Sequence, residues 1–178
     1  MNSPELLAAP LRGVETVYHL AWEGGIVGPN DHVSWDPSTI STLPRNVQIT
    51  RNLVTAMERT GTKRIVFLSA IGASRHTREP FLMEKYLAEF FILNSKIPEK
   101  IILRTSVVWG GKNEADKFIK SIQRVMKLPV YPVPRKAEGL SPIHIDDLVN
   151  LMSRLSRQDL EKACSILEVN GGDVSKIE

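Results

Sequence analysis

The feature that most constrains this chain is the alternation of short, continuously apolar runs with longer amphipathic ones. Val14 to Ala21, Ile65 to Ala70, Lys100 to Val108 and Ser165 to Val169 are brief and rich in β-branched residues, the mark of strands buried on both faces. Between the first two, Arg45 to Thr60 places Val47, Ile49, Leu53, Val54 and Met57 at mostly helical spacing, and Gly61 supplies a stop. Pro80 suits the first turn of a helix running to about Ser95, and Asp116 to Met126 reads as another amphipathic helix. Asp146 is placed to cap a further helix from about Asp147 to Leu155, its carboxylate accepting a bond from a free backbone N–H. Strands alternating with helices predict a parallel sheet covered on both faces, half of a doubly wound α/β fold.

The connections are punctuated by turn residues. Trp22 to Leu43 carries Gly24-Gly25, Gly28-Pro29-Asn30 and Asp36-Pro37 and reads as one long loop. Pro129, Pro132, Pro134 and Gly139 impose irregular structure, and Pro142 favours a short extended segment from Ser141 to Ile145. With 178 residues, the chain suits a single domain, 1–178. Its 23 Lys and Arg against 20 Asp and Glu are scattered, so a net charge of +3 does not point to nucleic acid. A lone Cys164 fits a reducing compartment, the cytoplasm. No apolar run approaches the ~18 residues of a membrane span, and no signal-peptide pattern opens the chain. His19, His32, His76 and His144 are too dispersed to suggest a metal site.

Several segments, in order, carry a resemblance. Val14-Glu15-Thr16-Val17-Tyr18-His19-Leu20-Ala21 resembles the extended short-chain dehydrogenase/reductase strand that ends in His-Leu-Ala beside the cofactor. Asn46-Val47, Thr50 and Asn52-Leu53 resemble that family's Asn-Val-x-Gly-Thr-x-Asn-Leu helix, with Ile49 in place of the glycine. Lys63 to Ser69 resembles the strand delivering the active-site serine or threonine. Leu103-Arg104-Thr105-Ser106-Val107-Val108-Trp109-Gly110 resembles the Leu-Arg-Pro-x-x-Val-Tyr-Gly strand, with Thr105 where the family has proline. Ile143 to Leu148 and Val169-Asn170-Gly171-Gly172 match the Val-Asp-Asp and Asn-Val-Gly-Gly segments. The family contains NAD(P)-dependent nucleotide-sugar epimerases and dehydratases and their NmrA-like relatives. The resemblance implies a partial Rossmann-like sheet lacking the first strands.

Two departures bear on function. The family's opening strand, Gly-x-x-Gly-x-x-Gly turn and helix, whose amides hold the pyrophosphate, have no counterpart here. Binding of NAD or NADP is therefore expected to be weak or absent without an N-terminal half. The family's Tyr-x-x-x-Lys becomes Phe81 and Lys85. Phenylalanine has no proton to exchange, and Tyr86 points about 100° away from Lys85 on a helix.

Each candidate carries two readings. Lys85 holds the nicotinamide ribose by resemblance, or is a solvated helix lysine. Ser69, at a strand end where open α/β sheets place ligands, is a catalytic hydroxyl or satisfies a strand-end backbone group. His19 is a packed strand histidine or a catalyst, Asn46 an ordinary helix-start residue or a shaper of the cofactor loop, and Arg104 an ion-pair partner or a phosphate ligand. Asp146 and Asp147 are most simply a helix cap and first turn. The resemblance also puts Leu20, Ala21, Thr105 and Val107 beside the cofactor. The leading expectation is a truncated or degenerate relative with little catalysis of its own; the alternatives are a non-enzymatic dinucleotide-sensing or protein-binding module and an atypical NAD(P)H-dependent reductase. Implied ligands are a dinucleotide and a nucleotide sugar or small carbonyl compound, with self-association through the exposed sheet edge formed by Val14 to Ala21.

Overall fold

The computed structural model describes residues 3–22, 43–111, 141–157 and 163–177, with Lys120, Gln123, Arg124 and Lys127 between them, and for 173–177 the backbone alone. Helix α1 (Pro4–Leu11) leads into strand β1 (Thr16–His19), followed by α2 (Arg45–Thr60), β2 (Arg64–Ala70), α3 (Pro80–Leu93) and β3 (Glu99–Thr105). A two-residue strand β4 (Val108–Trp109) precedes β5 (Ile143–His144), α4 (Ile145–Arg157), β6 (Cys164–Asn170) and β7 (Asp173–Ile177). The main sheet has the order β1-β2-β3-β6-β7, its first four strands parallel and β7 antiparallel to β6. It is the α/β sheet of a Rossmann-like fold.

Strand alternation divides the core between two faces. Ile65 and Phe67 of β2 and Ile102 of β3 pack with Val54 and Met57 of α2, Ala88 and Ile92 of α3 and Leu11 of α1. Val66, Ile101, Leu103 and Val169 point the other way, onto Leu148 and Met152 of α4. The central strands are continuously apolar through their middles, Ile65 to Leu68 and Ile101 to Leu103, because both faces are covered. Phe67, Ile65 and Ile102 are fully buried, each worth roughly 1.5–3 kcal/mol relative to exposure.

Helix α2 has the bounds its sequence pattern predicts. Gly61 ends it in the left-handed region at φ 71°, its N–H returning to the Met57 carbonyl. Helix α3 begins at Pro80, as expected. The long apolar run from Lys100 does not continue as one strand to Val108. It leaves the sheet after Thr105, and Val108 and Trp109 pair with Ile143 and His144 in a separate two-stranded sheet. Helix α4 starts at Ile145, so Asp146 is a first-turn residue and not the cap. The cap is the His144 ring, whose Nδ1 accepts the Asp146 N–H at 3.2 Å. Helix α1 and the β6–β7 hairpin were not anticipated. The expected loop over 23–42 and the irregular segment over 129–139 lie outside the described residues, as does almost all of the helix expected over 116–126.

Candidate functional site

The carboxyl ends of β1 and β2 and the first two turns of α3 converge on the Lys85 ammonium. Lys85 is buried, 6% exposed, and donates to the Leu68 carbonyl at 2.8 Å. Its Nζ lies 3.7 Å from the centre of the Trp22 ring, 5.1 Å from Phe67 and 5.6 Å from Phe81. Cation–π attraction therefore supplies contacts that water would otherwise give. Burial still dominates: it lowers the Lys85 pKa to about 8, against the opposing pull of the Glu84 and Glu89 carboxylates.

Phe81 precedes Lys85 by one helical turn and closes the same box, edge-on to Trp22 at 6.5 Å. No phenol faces the ammonium there, and Tyr86 packs instead beside Leu43, Val47 and Leu87. His19 stacks on Phe67 at 5.2 Å, and its Nε2 lies 2.8 Å from the Thr50 hydroxyl. The Thr50 proton goes to the Asn46 carbonyl at 2.9 Å, so His19 Nε2–H is the donor in their bond. Burial first, and then the Lys85 charge, lower the His19 pKa to about 4. His19 is a neutral, packed imidazole at physiological pH.

Ser69 is placed differently from Lys85. Its hydroxyl, on the face toward α3, donates to Glu89 Oε1 at 2.5 Å. Glu89, 1% exposed, also accepts Arg104 Nε at 3.0 Å and Nη2 at 2.7 Å. This bidentate bond raises the Arg104 pKa further above its ordinary value. Glu89 follows Lys85 by one turn, so α3 turns a cation and an anion inward. Thr105 Oγ1 donates to the Ser69 carbonyl at 3.3 Å, tying β3 to β2 beneath the site. Asn46 donates to Glu84 at 2.9 Å. Leu20 and Ala21 are exposed beside Trp22, whereas the Val107 carbonyl accepts the Ile143 N–H at 3.0 Å.

The structure thus brings His19, Lys85 and Phe81 together with Trp22 and Phe67, and directs Ser69 and Arg104 into a separate buried network. Sequence reasoning did not single out Trp22, Phe67, Thr50 or Glu89 as members of these arrangements. The signal for Glu89 was its spacing from Lys85 inside an apolar helix. A groove of about 480 Å³ lies elsewhere, between α4 and the end of β6, lined by Asp147, Leu151, Asn170 and Gly171 among others; its walls come from the segments matched to the family's Val-Asp-Asp and Asn-Val-Gly-Gly, and none of the residues expected to touch the cofactor lines it.

Solved structures with this arrangement of strands and helices are numerous. A NAD-dependent NDP-hexosamine 5,6-dehydratase of tunicamycin biosynthesis superposes with a TM-score of 0.64 at 18% identity, over 99% of this chain and 61% of that one. The fold is that of the nucleotide-sugar epimerases and dehydratases. MoeE5 in complex with UDP-glucuronic acid and NAD matches at a TM-score of 0.62 and 21% identity, over 96% of this chain and 61% of its own. A UDP-N-acetylglucosamine 4-epimerase from Bacillus cereus gives 0.62 and 18%, over 98% of this chain and 64% of its own. The chain spans about three fifths of the length of these epimerase and dehydratase structures. Among curated sequences, an uncharacterized protein of Mycobacterium tuberculosis is 28% identical over 163 residues, 86% of this chain and 15% of that protein. No family model matches. Within the epimerase and dehydratase fold, the Lys85 box occupies the carboxyl-terminal end of the sheet, where open α/β sheets bind ligands. Among the described residues no glycine-rich turn opens a helix to hold a pyrophosphate, and no helix is long and apolar enough to cross a membrane.

Proposed function

We propose that this chain is a nicotinamide-dinucleotide-binding unit related to the NAD(P)-dependent nucleotide-sugar epimerases and dehydratases, with little or no acid–base catalysis of its own. The observation that carries the reading is Lys85, set at the carboxyl end of the sheet with Phe81 and not tyrosine one turn before it. A cation able to hold ribose hydroxyls is present, and the phenol that would exchange a proton is not. Lys85 would hold the ribose at the nicotinamide end of a dinucleotide, while the pyrophosphate has no cradle among the described residues. Binding to the isolated chain is accordingly expected to be weak or absent; a Kd on the order of 1 mM would correspond to about 4 kcal/mol. Substrates of the related reactions are nucleotide sugars or small carbonyl compounds. Exposed Cys164 supports a reducing compartment such as the cytoplasm.

Among the described residues no strand pairs with the outer edge of β1, which supports association with another strand, from a second copy or a separate chain. Tyr18 and Leu20 there are 41% and 48% exposed, leaving apolar surface at an open edge. Calorimetric titration with NADH and NADPH, on the wild type and on Lys85→Met, tests the dinucleotide reading. Millimolar heat that disappears in the folded Lys85→Met variant supports it; no Lys85-dependent binding at several times that concentration refutes it. Hydride transfer from NADPH to a carbonyl substrate would refute the catalytic part.

A further inference from the structure

We infer that Trp22 is a displaceable lid over the Lys85 ammonium, so that the site as folded is closed and a ligand reaches Lys85 only when the indole moves. The geometry supporting this is independent of any cofactor, although the lid's use for a dinucleotide rests on the function proposed above. An ammonium has three N–H donors. In Lys85 one reaches the Leu68 carbonyl at 2.8 Å, and the Trp22 ring covers the ammonium at 3.7 Å. A ribose diol would need those same uncommitted donors, so the ring and a hydroxylated ligand compete for one face of the cation.

Trp22 is built to leave. It lies three residues past the last paired position of β1, His19 opposite Phe67. Among the described residues its contacts are ring faces and edges: Phe67 at 6.0 Å, Phe81 at 6.5 Å and the Lys85 ammonium. The indole is half-buried, whereas Phe67 beneath it is fully buried in the centre of β2. The floor of the box is therefore fixed by the sheet, and among the described residues its lid is held by non-directional contacts. Phe81 belongs to the fixed part, since α3 carries it on the turn before Lys85. Its apolar ring supports the closed indole, where a tyrosine hydroxyl would instead place a polar group beside the ammonium.

Two measurements on the full chain decide the matter. In protein labelled with ¹³C-lysine, the ε-methylene protons of Lys85, assigned through Lys85→Met, are expected upfield of the other lysines because the ammonium they adjoin lies over the indole. A Lys85 signal at the ordinary lysine position overturns the lid. In the second measurement, acetylation with acetic anhydride at about pH 10.5, where about half of the exposed lysines are deprotonated, is read by peptide mass spectrometry. Lys63, whose side chain is 68% exposed, serves as reference. Trp22→Ala is expected to raise the Lys85 to Lys63 labelling ratio several-fold, because it removes the ring that covers the amine; an unchanged ratio in a folded variant overturns the inference. Should Trp22→Ala unfold, Trp22→Leu replaces it, and the wild-type spectrum still decides. Absence of NADH binding to both wild type and Trp22→Ala would remove the dinucleotide reading and leave these two outcomes untouched.

Discussion

Replacing Glu89 by alanine tests whether the carboxylate between α3 and the sheet holds them together. The change deletes three hydrogen bonds, from Ser69 Oγ at 2.5 Å and from Arg104 Nε and Nη2 at 3.0 and 2.7 Å. Breaking a buried pair by removing one partner costs about 3–5 kcal/mol, mostly because the surviving charge is stranded. Arg104 retains 17% side-chain exposure and sits opposite Glu168 in the sheet register, so water and a second carboxylate recover part of the loss. The expected cost is therefore near the lower bound, about 3 kcal/mol, out of about 5–15 kcal/mol for a domain. Urea unfolding followed by circular dichroism would show it as a midpoint lowered by about 1–3 M. The double variant Glu89→Leu with Arg104→Met removes both charges and should regain most of that stability. A loss below about 1 kcal/mol in the single variant, or a double variant no more stable than the single, would refute the reasoning.

Lowering the pH should destabilise the fold through His19. Its pKa falls from 6.5 in the unfolded chain to about 4 when folded, so the unfolded state binds the extra proton and stability is lost from about pH 6.5 downward to about pH 4. His19→Gln should flatten that part of a stability-versus-pH curve; an unchanged curve would show that other groups set it. Lys85→Met should raise stability at pH 7 by about 1–3 kcal/mol, because a buried ammonium gives way to an apolar chain of similar length, and a destabilised variant in thermal melts would contradict the box as described. Gly171→Ala should cost about 1–3 kcal/mol, since its Cβ would collide with the Pro142 carbonyl oxygen; a thermal midpoint equal to wild type would disprove that contact.

The parallel sheet was legible because its central strands run continuously apolar over Ile65 to Leu68 and Ile101 to Leu103, as strands covered on both faces do. Helix α2 was legible to the residue, since Gly61 is a signal that needs no tertiary context. The break after Thr105 was not, because the run through Val108 stays apolar while its partner, Ile143-His144, lies far along the chain. The His144 cap was hidden for a related reason: Asp146 is the better capping residue by type, and the two-residue offset is decided by β5 pairing with β4. At the site, the Phe81 and Lys85 spacing was readable on one helix. The aromatic box was not, since Trp22, Phe67 and Phe81 come from three elements. Ser69 shows the limit of position within a strand: its place at the strand end was visible, but the face it takes follows from Phe67 two residues earlier, which points to the same side.

The strand order has a geometric consequence. In doubly wound sheets the crevice for a ligand opens where successive connections diverge to opposite sides, at the point of reversal in strand order. The four parallel strands here advance in one direction, β1-β2-β3-β6, and the hairpin to β7 closes the far side with an antiparallel neighbour. No reversal falls between any two of these strands. A reversal in strand order would fall on the outer flank of β1, where no described strand pairs, beside the segment that carries Trp22, so a crevice formed there and the uncovering of Lys85 would be events at the same corner of the molecule.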